Sequence, residues 1–397
     1  MTARELGAQQ PLLILGGGLM GLAIAHRLAL RGEAVQVISR NRREAAGFVA
    51  AGMLAPHAEG LSGDLLTLGQ QSLERIPAWV EAIEADSGLS CGLRPCGIVV
   101  PFQTAAERDA YPTATWGEPL ERGALAREIP GIGPQWQAAL LFRQDGQIDN
   151  RRRLMRALEK ACVLRGVGFQ EGCELKALEQ DGTGQLSAVR LQDAEGTESL
   201  LPARRAVLAC GAWSARLLPR LAVFPVKGQM LSLQAPRHAL ERVLFGPGTY
   251  LVPRADGLVV VGATSEPEAG FGEGLTPDGQ RQLQAGLTAL LPEAAGWPPM
   301  ERWWGFRPCT PDQAPLLGAS GIPGLWLATG HHRNGVLLAA ITAELLSEAI
   351  SGKLSPWSRH WLDRFRANRT SAAAGDQGPA VRHPLGPPAH PPPPDRC

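Results

Sequence analysis

The chain has 397 residues, enough for two domains at about 150 residues each, and its 44% hydrophobic content excludes disorder throughout. Lys+Arg (39) against Asp+Glu (38) leave a formal charge of +1, so no sequence-wide field exists to hold nucleic acid or an anionic membrane. The aliphatic stretches fall short of the roughly 20 residues of a membrane-spanning helix, residues 1–10 carry no apolar signal segment, and seven scattered cysteines fit reduced thiols and a cytoplasmic location better than a disulfide framework.

Residues 11–15 (PLLIL) predict a short buried strand. Gly16-Gly17-Gly18-Leu19-Met20-Gly21 follows, then a helix with Leu22, Ala25, Leu28 and Ala29 on one face and Gly32 as its stop. Ala34–Ile38 is the next strand, which completes a βαβ unit. Gly16, Gly18 and Gly21 form a G-x-G-x-x-G pattern between strand and helix. The first makes the tight turn, the second admits a pyrophosphate close to the backbone, and the third lets helix and strand pack. The competing reading is a purely structural glycine turn. The acid that usually ends the second strand and binds ribose is replaced by Ser39, followed by Arg40, Asn41, Arg42 and Arg43. These arginines are either solvated loop charges or contacts for the 2′-phosphate of NADP.

Further along, residues 64–86 predict an amphipathic helix interrupted near Pro77. GIVVP (97–101) and LLF (140–142) predict strands of a more antiparallel region. Asp149 or Asn150 is placed to cap a helix over 151–165. A meander spans 173–201, a buried strand 205–209, and a hairpin 250–264 turns at Ala-Asp-Gly. A helix near 278–291, the strand 325–329 and a long helix over 334–350 complete the order. Residues 375–397 contain eight prolines in 23 positions and predict a disordered tail. No internal repeat is present, and no His/Cys cluster has zinc spacing, so no metal site is expected.

Several motifs in order carry a resemblance: the glycine cradle, Ala50–Pro56 (AAGMLAP), Cys210-Gly211-Ala212-Trp213-Ser214, Tyr250–Arg254 (YLVPR), Gly262-Ala263-Thr264, Gly305-Phe306-Arg307-Pro308 and Thr329–Gly335 (TGHHRNG). Over about residues 11–366 the chain resembles the FAD-dependent D-amino-acid oxidase superfamily, and within it glycine oxidases of the thiamine-pathway type. The resemblance implies an α/β and α+β fold: a glucose-inhibited-division-like Rossmann domain for FAD from 1–86, 146–223 and 303–366, and an antiparallel-sheet substrate domain from 87–145 and 224–302, with 367–397 as tail. It places Leu19 and Met20 at the pyrophosphate, Ser39 and Arg40 at the ribose, and Leu175 at the adenine. Ala46, Gly47, Ala51, Gly52 and Met53 line the flavin with Gly211, and Gly330, His331, His332, Arg333, Asn334, Gly335, Val336 and Leu337 wrap the isoalloxazine edge. Arg307 and Arg333 face the substrate, with Tyr250 as a pocket tyrosine. Two pocket positions depart from the family pattern, where Gly248 stands for a histidine and Ser265 for a methionine. The position of a covalent flavin cysteine in related sarcosine oxidases is Gly305, so the FAD is expected to be noncovalent.

Such an enzyme needs a group to aim the substrate's C–H at the flavin, and a planar, permanently charged guanidinium suits a carboxylate. Arg307 is the candidate, against a reading as a structural ion pair. The Arg333-Asn334-Gly335 turn presents a helix N-terminus to charge developing on the flavin, against a reading as an ordinary turn. Tyr250 either closes the pocket and bonds the carboxylate or packs across strands. The implied reaction is oxidation of glycine, and of sarcosine or small D-amino acids, by O₂, with a homo-oligomeric enzyme and a separate thiazole synthase as downstream partner. The alternatives are an amine oxidase acting on a modified tRNA base, against which the +1 charge argues, and an NADP-dependent reductase, motivated by Arg40, Arg42 and Arg43.

Overall fold

The computed structural model describes residues 10–369. The Pro-rich tail expected beyond them lies outside the described residues, apart from 367–369.

Two sheets organise the chain. The first has six strands in the order 316–319, 325–329, 206–208, 12–15, 35–39, 168–171. All pair in parallel except Leu316–Ala319, which closes one edge antiparallel to Leu325–Thr329. Leu12–Leu15 is buried along its whole length, which is why it reads as a continuous apolar run rather than an alternating one. The helices Leu19–Ala29, Gly63–Ser87, Met155–Leu164 and Gly335–Ile350 pack into one core with it. Gly335–Ile350 is apolar nearly all round because sheet and helices enclose it; each fully buried leucine there contributes about 1.5–3 kcal/mol.

The second sheet has eight strands in the order 299–309, 224–234, 258–262, 249–253, 243–246, 98–102, 138–142, 118–121. It is antiparallel apart from the pair 243–246 with 98–102. The helix Pro277–Leu290 covers one face. The strand Pro299–Cys309, which carries Arg307, pairs along Phe224–Gln234, so the boundary expected at residue 303 falls inside a strand of this sheet. A separate three-stranded meander spans 174–202.

Two local features differ from what the sequence predicts. The helix Gly63–Ser87 runs unbroken through Pro77. Proline removes one hydrogen bond and costs about 3 kcal/mol, but Leu68, Ile76, Val80 and Ile83 bury one face of the helix and offset it. Asp149 stands at the N-cap position of the helical run that begins at Asn150, but neither its side chain nor that of Asn150 makes a cap hydrogen bond. Asp149 engages Arg152, the Asn150 amide donates to the Gly47 carbonyl, and residues 150–154 form a π-helical turn ahead of Met155–Leu164.

Candidate active site

One elongated cavity, with about 1740 Å³ of atom-free space partly open to solvent, runs from the N-terminal glycine turn to the eight-stranded sheet. At its first end, Gly16 has φ +113°, and a Cβ there would sit 2.5 Å from the Ala209 carbonyl oxygen. A Cβ on Gly21 would lie 1.9 Å from the Gly16 carbonyl oxygen, so Gly21 serves helix packing and does not line the cavity. The helix starts at Leu19 with no side-chain cap from Gly18, and its first backbone bond is Leu22 N–H to Gly18 O. The preceding N–H groups therefore have no helical acceptor, and Gly16, Gly18, Leu19 and Met20 all line the cavity.

Ser39, Arg40 and Leu175 line the next stretch together with Glu44 and Glu174. Arg40 is ion-paired with both glutamates and lies over the Trp213 ring at 5.5 Å. Arg42 is held by Glu159 at 3.0 Å and Glu171 at 2.9 Å, and Arg43 is exposed outside the cavity. Arg40 and Arg42 are thus both neutralised by carboxylates, which removes the basis they offered for a 2′-phosphate site. Sequence reasoning missed Glu44 and Glu174, the carboxylates that stand near the vacated ribose-acid position.

The middle is walled by Ala46, Gly47, Ala51, Gly52, Met53 and, opposite, Gly211. This wall is fixed from behind. Gly52, at φ +80°, would place a Cβ 2.1 Å from the Ile148 carbonyl oxygen, and its own carbonyl accepts from Ile148 N–H at 2.8 Å. The buried Arg254 guanidinium donates to the carbonyls of Ala51 and Ile148, and burial pushes its pKa down to about 10.

At the far end, His331 is 2% exposed, with Nε2 3.0 Å from Thr342 Oγ1 and no hydrogen-bond partner for Nδ1 among the described residues. Burial pushes its pKa down to about 3, so the imidazole is neutral. The helix Gly335–Ile350 begins without a side-chain cap, and a Cβ on Gly335 would meet nothing closer than 3.8 Å, which leaves this helix N-terminus bare to the cavity. His332, Arg333, Gly335 and Val336 line the cavity; Gly330, Asn334 and Leu337 do not. Gly330 makes a positive-φ turn against Thr310, Asn334 is the N-cap residue, and the Leu337 carbonyl accepts from Ser72 in the core.

Arg307, Tyr250 and Arg333 converge here. Arg307 donates to the Thr264 carbonyl at 3.1 Å and has no carboxylate within ion-pair distance among the described residues. It can lie against the sheet because its neighbour strand carries Gly228, where a Cβ would be 2.4 Å from Arg307 Nη1. Tyr250 likewise lies against Gly262, at 2.6 Å from a Cβ there. Burial lowers the Arg307 pKa and raises that of Tyr250. Arg333 differs: its Nε is 3.0 Å from Oε2 of Glu59, which is 7% exposed. Burial alone would lower the Arg333 guanidinium, but Glu59 holds it above its ordinary value. Glu59, Gly228 and Met230 are cavity residues that sequence reasoning missed. Gly248 and Ser265 do not line the cavity, and Gly248 lies in the turn between strands 243–246 and 249–253.

The model of the family described as FAD dependent oxidoreductase matches residues 12–349. The chain belongs to that family. The chain is 43% identical over 353 residues to the "Bifunctional protein ThiO/ThiG" of Synechocystis sp., covering 87% of this chain and 52% of that protein. It therefore spans about half the length of such curated relatives. It is 31% identical to the "Glycine oxidase" of Pseudomonas aeruginosa over 86% of this chain and 94% of that one. The crystal structure of glycine oxidase from Geobacillus kaustophilus superposes with a TM-score of 0.81 at 29% identity, covering 90% of this chain and 98% of that chain.

FAD is the family's cofactor, and the cavity fits it. An elongated space joins two bare helix N-termini, one at the glycine turn suited to phosphates and one at Gly335 suited to the electron-rich edge of a ring. Gly211, where a Cβ would meet no protein atom within 4 Å, leaves the wall between them open. Among the described residues no helix is long and apolar enough to cross a membrane, and no group of side chains could hold a metal ion.

Proposed function

We propose that the protein oxidises glycine, and sarcosine or small D-amino acids less strictly, as a glycine oxidase. Glycine, O₂ and water become glyoxylate, ammonia and H₂O₂. The single observation that carries this reading is Arg307: a guanidinium without a carboxylate partner, beside Tyr250, in a cavity that ends at a bare helix N-terminus. FAD held there would supply the two-electron acceptor, with O₂ as the final oxidant.

The chain's own residues do the rest. Arg307 binds the substrate carboxylate through its forked donors, and this fixes the orientation of the α-carbon. Tyr250 Oη, 3.6 Å from Met230 Sδ, is placed to donate to the same carboxylate. The apolar wall of Met53, Met230 and Val49 excludes water and favours the neutral amine that oxidation requires. The N–H groups at Gly335 and Val336 stabilise negative charge near the helix start. The segments that line the first end of the cavity form the FAD-binding unit, and the eight-stranded sheet forms the substrate side. Gly305, packed on Val49, offers no side chain for a covalent link, so the cofactor is held noncovalently.

The relatives named as bifunctional ThiO/ThiG support a further step, in which the oxidation product is handed to a thiazole synthase for thiamine synthesis. The enzyme acts in the cytoplasm as a homo-oligomer. Aerobic incubation with glycine tests the reading: glyoxylate, ammonia and peroxide are expected in equal amounts, and their absence with glycine, sarcosine and small D-amino acids refutes it.

A further inference from the structure

The Glu59–Arg333 pair has no role in the chemistry above, yet it is buried against the substrate end of the cavity. The Arg333 and Glu59 side chains are 14% and 7% exposed and 3.0 Å apart, and both residues line the same cavity as Arg307 and Tyr250. Arg333 also lies 6.0 Å over the Phe245 ring, which stacks on Tyr250 at 6.4 Å. The pair therefore belongs to the substrate's surroundings and not to the protein surface.

Glu59 is held where it is. The Asp145 carboxylate, 0% exposed, accepts from the backbone N–H of His57 at 3.2 Å and of Ala58 at 2.8 Å, and it bonds His57 Nδ1 at 2.6 Å. Tyr111 Oη donates to the Ala58 carbonyl at 2.7 Å, Thr113 Oγ1 to the His57 carbonyl at 2.6 Å, and Glu59 N–H to the Ala55 carbonyl at 3.0 Å. So many anchors on three successive residues keep the Glu59 carboxylate on Arg333. With that pair closed, Arg307 is the guanidinium beside Tyr250 that has no ion-pair partner among the described residues.

We propose that Glu59 is a specificity determinant. By engaging Arg333 it restricts the site to amino acids with a single carboxylate, and loss of its charge releases Arg333 to receive amino acids bearing a second carboxylate on the nitrogen substituent or side chain. The inference rests on the reading that Arg307 binds the substrate carboxylate. A dianion beside Tyr250 in the native pocket meets Arg307, with the Glu59 anion closed on Arg333; with Glu59 neutral it meets both Arg307 and an uncompensated Arg333. Close charge pairs of this kind are commonly worth tenfold or more in binding.

The test uses the FAD-loaded protein under anaerobic conditions and two ligands that lack the amine the proposed reaction oxidises: glycolate and diglycolate. Their binding is read from perturbation of the flavin absorption band. The native protein is expected to prefer glycolate. Glu59→Gln is expected to shift the ratio of affinities toward diglycolate by about tenfold or more, and the double variant Glu59→Gln/Arg333→Gln to lose that gain. Arg333→Gln alone leaves a buried anion without its cation and is expected to weaken both ligands, diglycolate more, so the proposal stays testable if Glu59→Gln does not fold. A ratio that moves less than twofold in Glu59→Gln, a gain that survives loss of Arg333, or unchanged binding in Arg333→Gln overturns it. A native protein that binds glycolate and oxidises glycine while the ratio stays put sinks only this inference. A native protein that oxidises no amino acid sinks the reading beneath it.

Discussion

Gly228→Ala is the perturbation that most sharply probes Arg307 without replacing it. The added methyl would sit 2.4 Å from Nη1, 2.6 Å from Nη2 and 2.7 Å from Cζ of Arg307. Ordinary contact between such atoms begins near 3.5 Å, so the guanidinium must retreat by roughly 1 Å. A displacement of that size at a group that positions substrate costs on the order of 10²-fold in kcat/KM. The assay is peroxide release over a range of glycine concentrations, with FAD content and Tm measured alongside. Gly182→Ala is the control, because a Cβ there meets nothing within 4 Å. Folded, yellow Gly228→Ala protein with glycine turnover within threefold of the native value would show that Arg307 does not hold the carboxylate.

Three other outcomes follow from the same geometry. Gly21→Ala places a methyl 1.9 Å from the Gly16 carbonyl oxygen, which forces helix and turn apart; FAD affinity is expected to fall by about tenfold or more, read by fluorescence titration. His331 has a folded pKa of about 3 against about 6.5 when unfolded, so the unfolded chain binds the extra proton between those values. Its contribution to stability is full above pH 6.5 and falls as pH drops, by about 1.4 kcal/mol per unit. The slope of the denaturant midpoint between pH 7 and 5 is expected to flatten in His331→Gln but not vanish, since burial also lowers His26; equal slopes in both proteins would contradict this. Arg307→Leu, which leaves the Glu59–Arg333 pair intact, is expected to abolish perturbation of the flavin band by glycolate at concentrations that saturate the native protein.

The first βαβ unit was legible because its signals are local: an apolar run, a glycine turn and an apolar helix within 30 residues. The hairpin at Tyr250 and the helix at Gly335 were legible for the same reason. What the sequence hid depends on register and on distant partners. Gly228 looks like any strand glycine until pairing sets Val226 opposite Arg307 and brings the guanidinium across it. Glu59 sits in a short Ala- and Gly-rich loop, and only the fold brings it to Arg333, 274 positions away. Pro77 misled because the helix penalty is local while the packing that outweighs it comes from elsewhere in the chain.

Whether a flavin in this cavity takes electrons from glycine is read from the visible spectrum of the purified, oxygen-free protein before and after glycine is added. A band at ~450 nm from bound flavin is expected, which bleaches with glycine and returns when O₂ is admitted. A colourless protein, or a yellow one whose spectrum is indifferent to glycine, sarcosine and every small D-amino acid, would contradict it.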